Sequence, residues 1–240
     1  MLIGIVLCVV YVGVLIGLQR ASGVRYDQIT NSAETMRKGV VVPVAVCTVL
    51  LVAFAAATGR LADAFSYSPR AGSVWLWAVP AVMAVGIVLR LVRAPWSTVG
   101  AAYVGWAFVG TALVGFSEEL LTRGILVDLV QADGRGPLAV ALITSILFGL
   151  LHGANVVNGQ DARTTAIQVV GTTITGFALF ACLAVSGTLW LPIAVHFLYD
   201  FSLVVQGQMN KVDERQTPVE TVVVLVTYVL ALGSLLLVSS

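Results

Sequence analysis

Charge is what this sequence has least of. Of its 240 residues only 10% are Asp, Glu, Lys or Arg, while 59% are hydrophobic, and the mean hydropathy is +0.99. A soluble domain carries about 25% charged residues. The composition therefore excludes an ordinary soluble fold and predicts an integral membrane protein whose length is spent on spans, with no room for a separate soluble domain. The net charge of +1 leaves no basic footprint and argues against nucleic acid as a partner. Cysteine is scarce too. Cys8, Cys47 and Cys182 sit in apolar runs with no paired spacing and no histidine nearby in sequence. They read as small core residues rather than disulfides or metal ligands. Residues 1–18 are apolar, but no Lys or Arg precedes them and no small-x-small cleavage site follows. That run reads as a first transmembrane helix, not a signal peptide.

A helix needs about 20 apolar residues to cross the hydrocarbon. Eight segments qualify, at roughly 1–18, 39–58, 73–91, 100–129, 138–157, 164–186, 188–206 and 218–238. The expected fold is all-α, a polytopic helix bundle in the cell membrane with the lipid bilayer around it. Ser186 and Gly187 leave only a short turn between the sixth and seventh segments, which makes those two an antiparallel hairpin. Most remaining charge lies in the connections. Arg20, Arg25, Arg37 and Lys38 fall in the first, Arg60 and Arg70 follow the second segment, Arg90 and Arg93 follow the third, and Lys211 and Arg215 precede the last. Counted by the positive-inside rule, this puts both termini outside. Gly171, Gly176, Ala178 and Ala181 suit close helix packing. Trp75, Trp77, Trp96, Trp106 and Trp190 suit the interfacial belts.

One stretch breaks the apolar pattern. Glu118, Glu119 and Arg123 lie inside the long fourth segment. A charge at the bilayer centre costs about 2.5–3.5 kcal/mol, so the three unpaired would cost on the order of 10 kcal/mol. A chain that keeps them must pair them, wet them or use them. Residues four apart share a helix face. Glu119 and Arg123 can thus pair locally, while Glu118, turned about 100° away, can point at a different neighbour. Phe148 and His152 are four apart on the fifth segment, and His196 and Asp200 on the seventh. These are the only two histidines, and each sits inside an apolar helix.

Glu118-Glu119-x-x-x-Arg123, then Phe148-Gly149-Leu150-Leu151-His152, then His196-Phe197-Leu198-Tyr199-Asp200 resembles the three-motif signature of the CPBP family. These are the CAAX-protease and bacteriocin-processing, abortive-infection-like intramembrane proteases. The lead-in Gly187-Thr188-Leu189-Trp190-Leu191-Pro192 resembles that family's third motif as well. The resemblance covers residues 118–200 and suggests a division into N-terminal helices 1–99, a catalytic core 100–210 and a last helix 211–240 within one membrane domain. It implies peptide-bond hydrolysis within the membrane. Glu118 is then the general base that activates water, with His152 beside it. Glu119 and Arg123 hold the site in shape, and His196 with residue 200 stabilises the oxyanion.

The chemistry agrees, since amide hydrolysis needs an activated water, a base and an oxyanion donor. No Ser or Cys stands in a nucleophilic arrangement with either histidine, and Ser117 reads as packing or a local hydrogen bond. Asn, frequent in the family at the position of Asp200, would supply an amide donor. Asp200 donates only if protonated, and otherwise accepts from His196 and orients it. In a metal-based alternative, Glu118, His152 and His196 are zinc ligands and Asp200 supports His196. The expected substrate is a peptide or membrane protein, in the CAAX reading a prenylated one. Two other functions stay open. One is a proton- or ion-coupled transporter, which would also use buried carboxylates and histidines. The other is a non-catalytic immunity-type membrane protein. Asp128 reads as interfacial. Asn155, Asn158, Asp161 and Arg163 read as a solvated loop, with Asn155 able to line the site mouth.

Overall fold

The computed structural model describes residues 1–68, 70–209 and 217–238. Its long elements are α1 (Leu2–Ala21), α2 (Ala33–Ala57), α3 (Val74–Arg93), α4 (Ala101–Ala132), α5 (Pro137–Leu151), α6 (Ala162–Ser186), α7 (Trp190–Met209) and α8 (Pro218–Ser234). α5 continues as a tighter 3-10 turn over His152–Asn158. These fall where the hydropathy places the eight segments. Among the described residues, α1 to α6 are long and apolar enough to cross a membrane. α7 has the length but carries His196, Asp200 and Gln206, and α8 has only 17 residues. The molecule is a polytopic helical bundle, with six clear spans among the described residues beside the more polar α7 and the shorter apolar α8. Lys211 and Arg215 lie outside the described residues.

α2 starts earlier than hydropathy alone predicts. Ser32 and Thr35 cap it reciprocally, the Thr35 N–H donating to Ser32 Oγ at 3.1 Å and the Ser32 N–H to Thr35 Oγ1 at 2.9 Å. Pro43 then interrupts the ladder, because it has no N–H for the Gly39 carbonyl four residues back. The helix passes through a π turn at Arg37–Val41, and Gly39 O accepts instead from Gln19 Nε2 of α1 at 3.0 Å. Gln19 Oε1 in turn accepts from Asn158 Nδ2 at 3.0 Å. One proline thus sets up the joint between α1, α2 and the turn after α5. Asn158 is buried there, not solvated as its loop composition suggests.

α4 and α7 approach closely. A Cβ on Gly115 would lie 2.9 Å from the Phe197 backbone nitrogen, so glycine lets the helix bearing Glu118 reach the helix bearing His196. The expected α6–α7 hairpin is present. Gly187, at φ 69, ends α6, and α7 resumes at Trp190. Ala178 and Ala181 are fully buried on the packed face of α6.

α1 runs the full depth of the bundle, from the Met1 ammonium on Asp133 (2.6 Å) to Arg20 on the Val157 carbonyl (2.9 Å). One end of the bundle is closed by residues 58–68 and 70–73 against the α6–α7 turn. The Tyr67 N–H donates to Gly187 O at 3.1 Å and the Ala71 N–H to Ala184 O at 3.0 Å. Tyr67 also packs edge-on against Phe180. The other end carries the first connection, residues 22–32, and the turn after α5. The three cysteines are buried and free, and the five tryptophans face outward. Asp128 forms an ion pair with Arg60. Arg90 does not follow the third helix but lies inside α3, 2% exposed.

Candidate active site

The regular turns of α4 end at Glu119, and a π turn, Leu120–Ile125, takes over. Such turns recur at functional sites. This one places Thr122 and Arg123 against the two carboxylates. The Thr122 hydroxyl donates to the Glu118 carbonyl at 2.6 Å. Arg123 Nη1 donates to Thr122 Oγ1 at 2.6 Å and to Glu119 Oε1 at 3.0 Å, and Nη2 to Gly176 O of α6 at 2.9 Å. Both members of the Glu119–Arg123 pair are wholly buried. The pair is not self-contained as its i,i+4 spacing suggests. Glu119 Oε1 also accepts from His196 Nδ1 of α7 at 2.8 Å.

His196 is therefore held from both sides. An ionised carboxylate can only accept, so Nδ1 carries the proton that Glu119 receives. Nε2 lies 3.3 Å from Asp200 Oδ2 and 4.0 Å from Glu118 Oε2. The orienting contact on the far nitrogen comes from Glu119, while Asp200 shares the working nitrogen with Glu118. His152 is fixed differently. Its Nδ1 lies 3.0 Å from the Phe148 carbonyl. A carbonyl only accepts, so Nδ1 donates and the neutral ring presents the Nε2 lone pair. Phe148 stands among all these groups. Its ring meets His152 edge-on at 5.1 Å and His196 at 5.6 Å, and the Arg123 guanidinium lies 4.3 Å from its centroid. It lies inside the second motif, but its spacing alone assigns it no such contacts. Ser117 is likewise not locally bonded. Its hydroxyl donates to Tyr11 Oη of α1 at 3.2 Å.

Glu118, His152, His196 and Asp200 line one cavity of about 980 Å³, together with Phe148 and Asn155. The structure brings these four side chains to a common space, with Glu119 and Arg123 behind them. One part of the cavity is apolar, with Leu15, Met36, Val44 and Val114. The opposite part reaches the first connection and the start of α6. Polar contacts tie that mouth. Asn155 Nδ2 donates to Gln168 Oε1 at 2.9 Å, Gln168 Nε2 to Tyr26 Oη at 3.0 Å, and Arg25 Nη2 to Gly159 O at 3.2 Å. Tyr26 and Gln168 carry no sequence signal for this role, because they meet only through the packing of distant segments. Asp161 caps α6, accepting from the Arg163 and Thr164 N–H groups at 2.9 Å each. Its hydrogen bonds with Thr164 hold its carboxyl below the usual range.

The donor set does not fit zinc in this arrangement. Among the described residues no three of His, Cys, Asp and Glu converge as ligands. His196, one of the three expected ligands, faces a carboxylate from each nitrogen. If both nitrogens donate, no lone pair is left for a metal.

Residues 100–202 match the family model described as type II CAAX prenyl endopeptidase Rce1-like. No curated protein matches the chain. The matched stretch holds all three motifs and every side chain of the Glu118 constellation. Among the described residues six helices are long and apolar enough to cross a membrane, as in an integral membrane protein, and the matched stretch is similar to CAAX-type endopeptidases. Residues 100–202, which carry the Glu118 constellation, are thus similar to the Rce1-like CAAX prenyl endopeptidases.

Proposed function

We propose that the chain is a metal-free endopeptidase in which Glu118 activates water against a peptide bond of a membrane-associated substrate, a prenylated protein or a peptide. The observation that carries this reading is the division of labour between adjacent carboxylates. Glu119 is wholly buried and bonded to Arg123 and His196, whereas Glu118 lines the cavity with its side chain 15% exposed. A carboxylate kept for structure is held in ion pairs away from the cavity, and one kept for chemistry faces the space where a substrate sits.

Water held at Glu118 gives it a proton as the hydroxide adds to the carbonyl carbon. The His152 Nε2 lone pair accepts from the same water and fixes its direction. The negative charge on the carbonyl oxygen is met by the Nε2–H of His196, held in place through Nδ1 by Glu119. As the C–N bond breaks, the proton on Glu118 passes to the leaving nitrogen, giving an acid and an amine. Donation from both nitrogens makes His196 an imidazolium. Its charge then helps balance Glu118, Glu119 and Asp200 beside a single Arg123.

The test compares wild type, Glu118→Gln and His152→Ala in detergent with a library of membrane peptides, reading products by mass spectrometry and metal content on the same samples. Products are expected from wild type without stoichiometric metal. Glu118→Gln should lower turnover by at least 1,000-fold, in the range of losing an essential catalytic group. Equal product profiles from folded wild type and variants would sink the reading. Stoichiometric zinc lost in both variants would replace water activation by Glu118 alone with a metal mechanism.

A further inference from the structure

The first connection brings to the cavity one hydroxyl that the chemistry above does not use. Tyr26 opens a short 3-10 turn, Tyr26–Gln28. The residues around it are pinned. A Cβ on Gly39 of α2 would lie 2.9 Å from Val24 Cγ1 and 3.1 Å from Ile29 Cγ2, so both flanks of the turn pack onto that glycine. Arg25 pairs with Asp27 at 3.1 Å and reaches Gly159 O at 3.2 Å. Gly159 sits at φ 102, a conformation that favours glycine, and a Cβ there would lie 3.0 Å from Arg25 Nε. Between these ties the Tyr26 side chain is half-buried and lines the same cavity as Glu118, His152, His196 and Asp200.

The hydroxyl is oriented as well as placed. Asn155 Nδ2 donates to Gln168 Oε1 at 2.9 Å, and Gln168 Nε2 donates to Tyr26 Oη at 3.0 Å. Each bond in that row strengthens the next. Tyr26 Oη is thus occupied as an acceptor, and among the described residues nothing accepts its own proton. Burial raises the pKa of the phenol, the bond from Gln168 opposes this, and the carboxylates of Asp200 and Glu118 raise it further. Tyr26 therefore stays a neutral donor at neutral pH, beside the two carboxylates of the site.

We infer that Tyr26 is a substrate-binding residue whose hydroxyl donates to a main-chain carbonyl of the peptide, on the mouth side of the scissile bond. A donor fixed before the substrate arrives loses little freedom in binding it. An extended peptide offers one carbonyl per residue, and a bond to a carbonyl reads the backbone rather than the side chain. The contact therefore sets the register of the peptide against Glu118 without restricting its sequence at that point. It deepens the protease reading and rests on it. It also makes the first connection, which precedes the family-matched residues 100–202, a part of the site.

The probe is a fluorophore-labelled apolar hexapeptide, made with ordinary amides throughout and with a single thioamide at each amide position in turn. A thioamide sulfur is a weaker acceptor than a carbonyl oxygen. Binding to the detergent-solubilised full chain is measured in the Glu118→Gln background, and turnover in wild type. One thioamide position should bind about 3- to 10-fold more weakly than the rest, the range of one neutral hydrogen bond. Tyr26→Phe keeps the ring and should remove that position dependence, with the larger part of its effect on turnover in KM rather than kcat. Gln168→Glu offers Tyr26 only acceptors, so it draws the phenol proton away from the cavity and should remove the dependence too. Equal affinity for all the thioamide peptides overturns the inference even if neither variant folds. A position dependence that survives in Tyr26→Phe overturns it as well. Coupling to residue 26 without turnover in wild type would sink the protease reading and leave the peptide contact standing. Turnover without that coupling would do the reverse.

Discussion

At the scale of single residues, Glu119 and Asp200 both touch His196, and they should behave differently when neutralised. Glu119 holds Nδ1 at 2.8 Å and also anchors Arg123. Glu119→Gln removes an ionised partner from a wholly buried guanidinium, and breaking such a pair costs about 3–5 kcal/mol. The variant should lose more than tenfold in turnover and also melt earlier by several degrees in a thermal unfolding assay. Asp200 is 29% exposed and reaches only Nε2. Asp200→Asn replaces an acceptor that competes for the Nε2 proton with an amide that can itself donate. Turnover should stay within about threefold of wild type with the melting temperature unchanged, since a part-exposed ion pair contributes only about 0–1 kcal/mol. A loss in Asp200→Asn as large as in Glu119→Gln would show that Asp200, not Glu119, sets the orientation of His196.

At the scale of elements, the joint built on Pro43 offers a thermodynamic cycle. Gln19→Ala leaves the buried Gly39 carbonyl without a partner, which costs about 1–3 kcal/mol. Pro43→Ala restores an N–H that can take over that carbonyl. The double variant should therefore be less destabilised than the sum of the singles, by about 1 kcal/mol, in a denaturant titration. Strict additivity would mean that Gly39 O does not pass between the two donors. The cap on α6 belongs to the same scale. Asp161 has its carboxyl held low by hydrogen bonding. Its contribution is present above the ordinary carboxylate range and fades as pH falls through its depressed value.

At the scale of the whole molecule, the first connection is fastened across the cavity mouth by Arg25 on Gly159 and Tyr26 on Gln168. Arg25→Ala should speed amide hydrogen exchange in residues 22–32 and 152–160 and leave α4 and α7 unchanged. Unchanged exchange in both segments would mean that the contact does not fasten the mouth. How far all this could be read beforehand depends on range. The helices and the i,i+4 pairs were legible, because hydropathy and helical spacing are local. The reach of Glu119 to His196 was not, since it needs the close α4–α7 approach at Gly115. Arg90 and Asn158 looked like connection residues, because nothing local says that a polar side chain at a helix end turns inward. The two ends of the bundle have one more consequence. Arg25, Tyr26, Asp27, Gln160 and Asp161 all line the cavity from the same end, while Tyr67, Phe180 and the ties to Gly187 and Ala184 seal the other. In the proposed protease, solvent and the cleaved polar fragment pass the polar end of the cavity. Cleavage by such a bundle is vectorial, and the compartment that receives the fragment is set by the direction in which the chain was inserted.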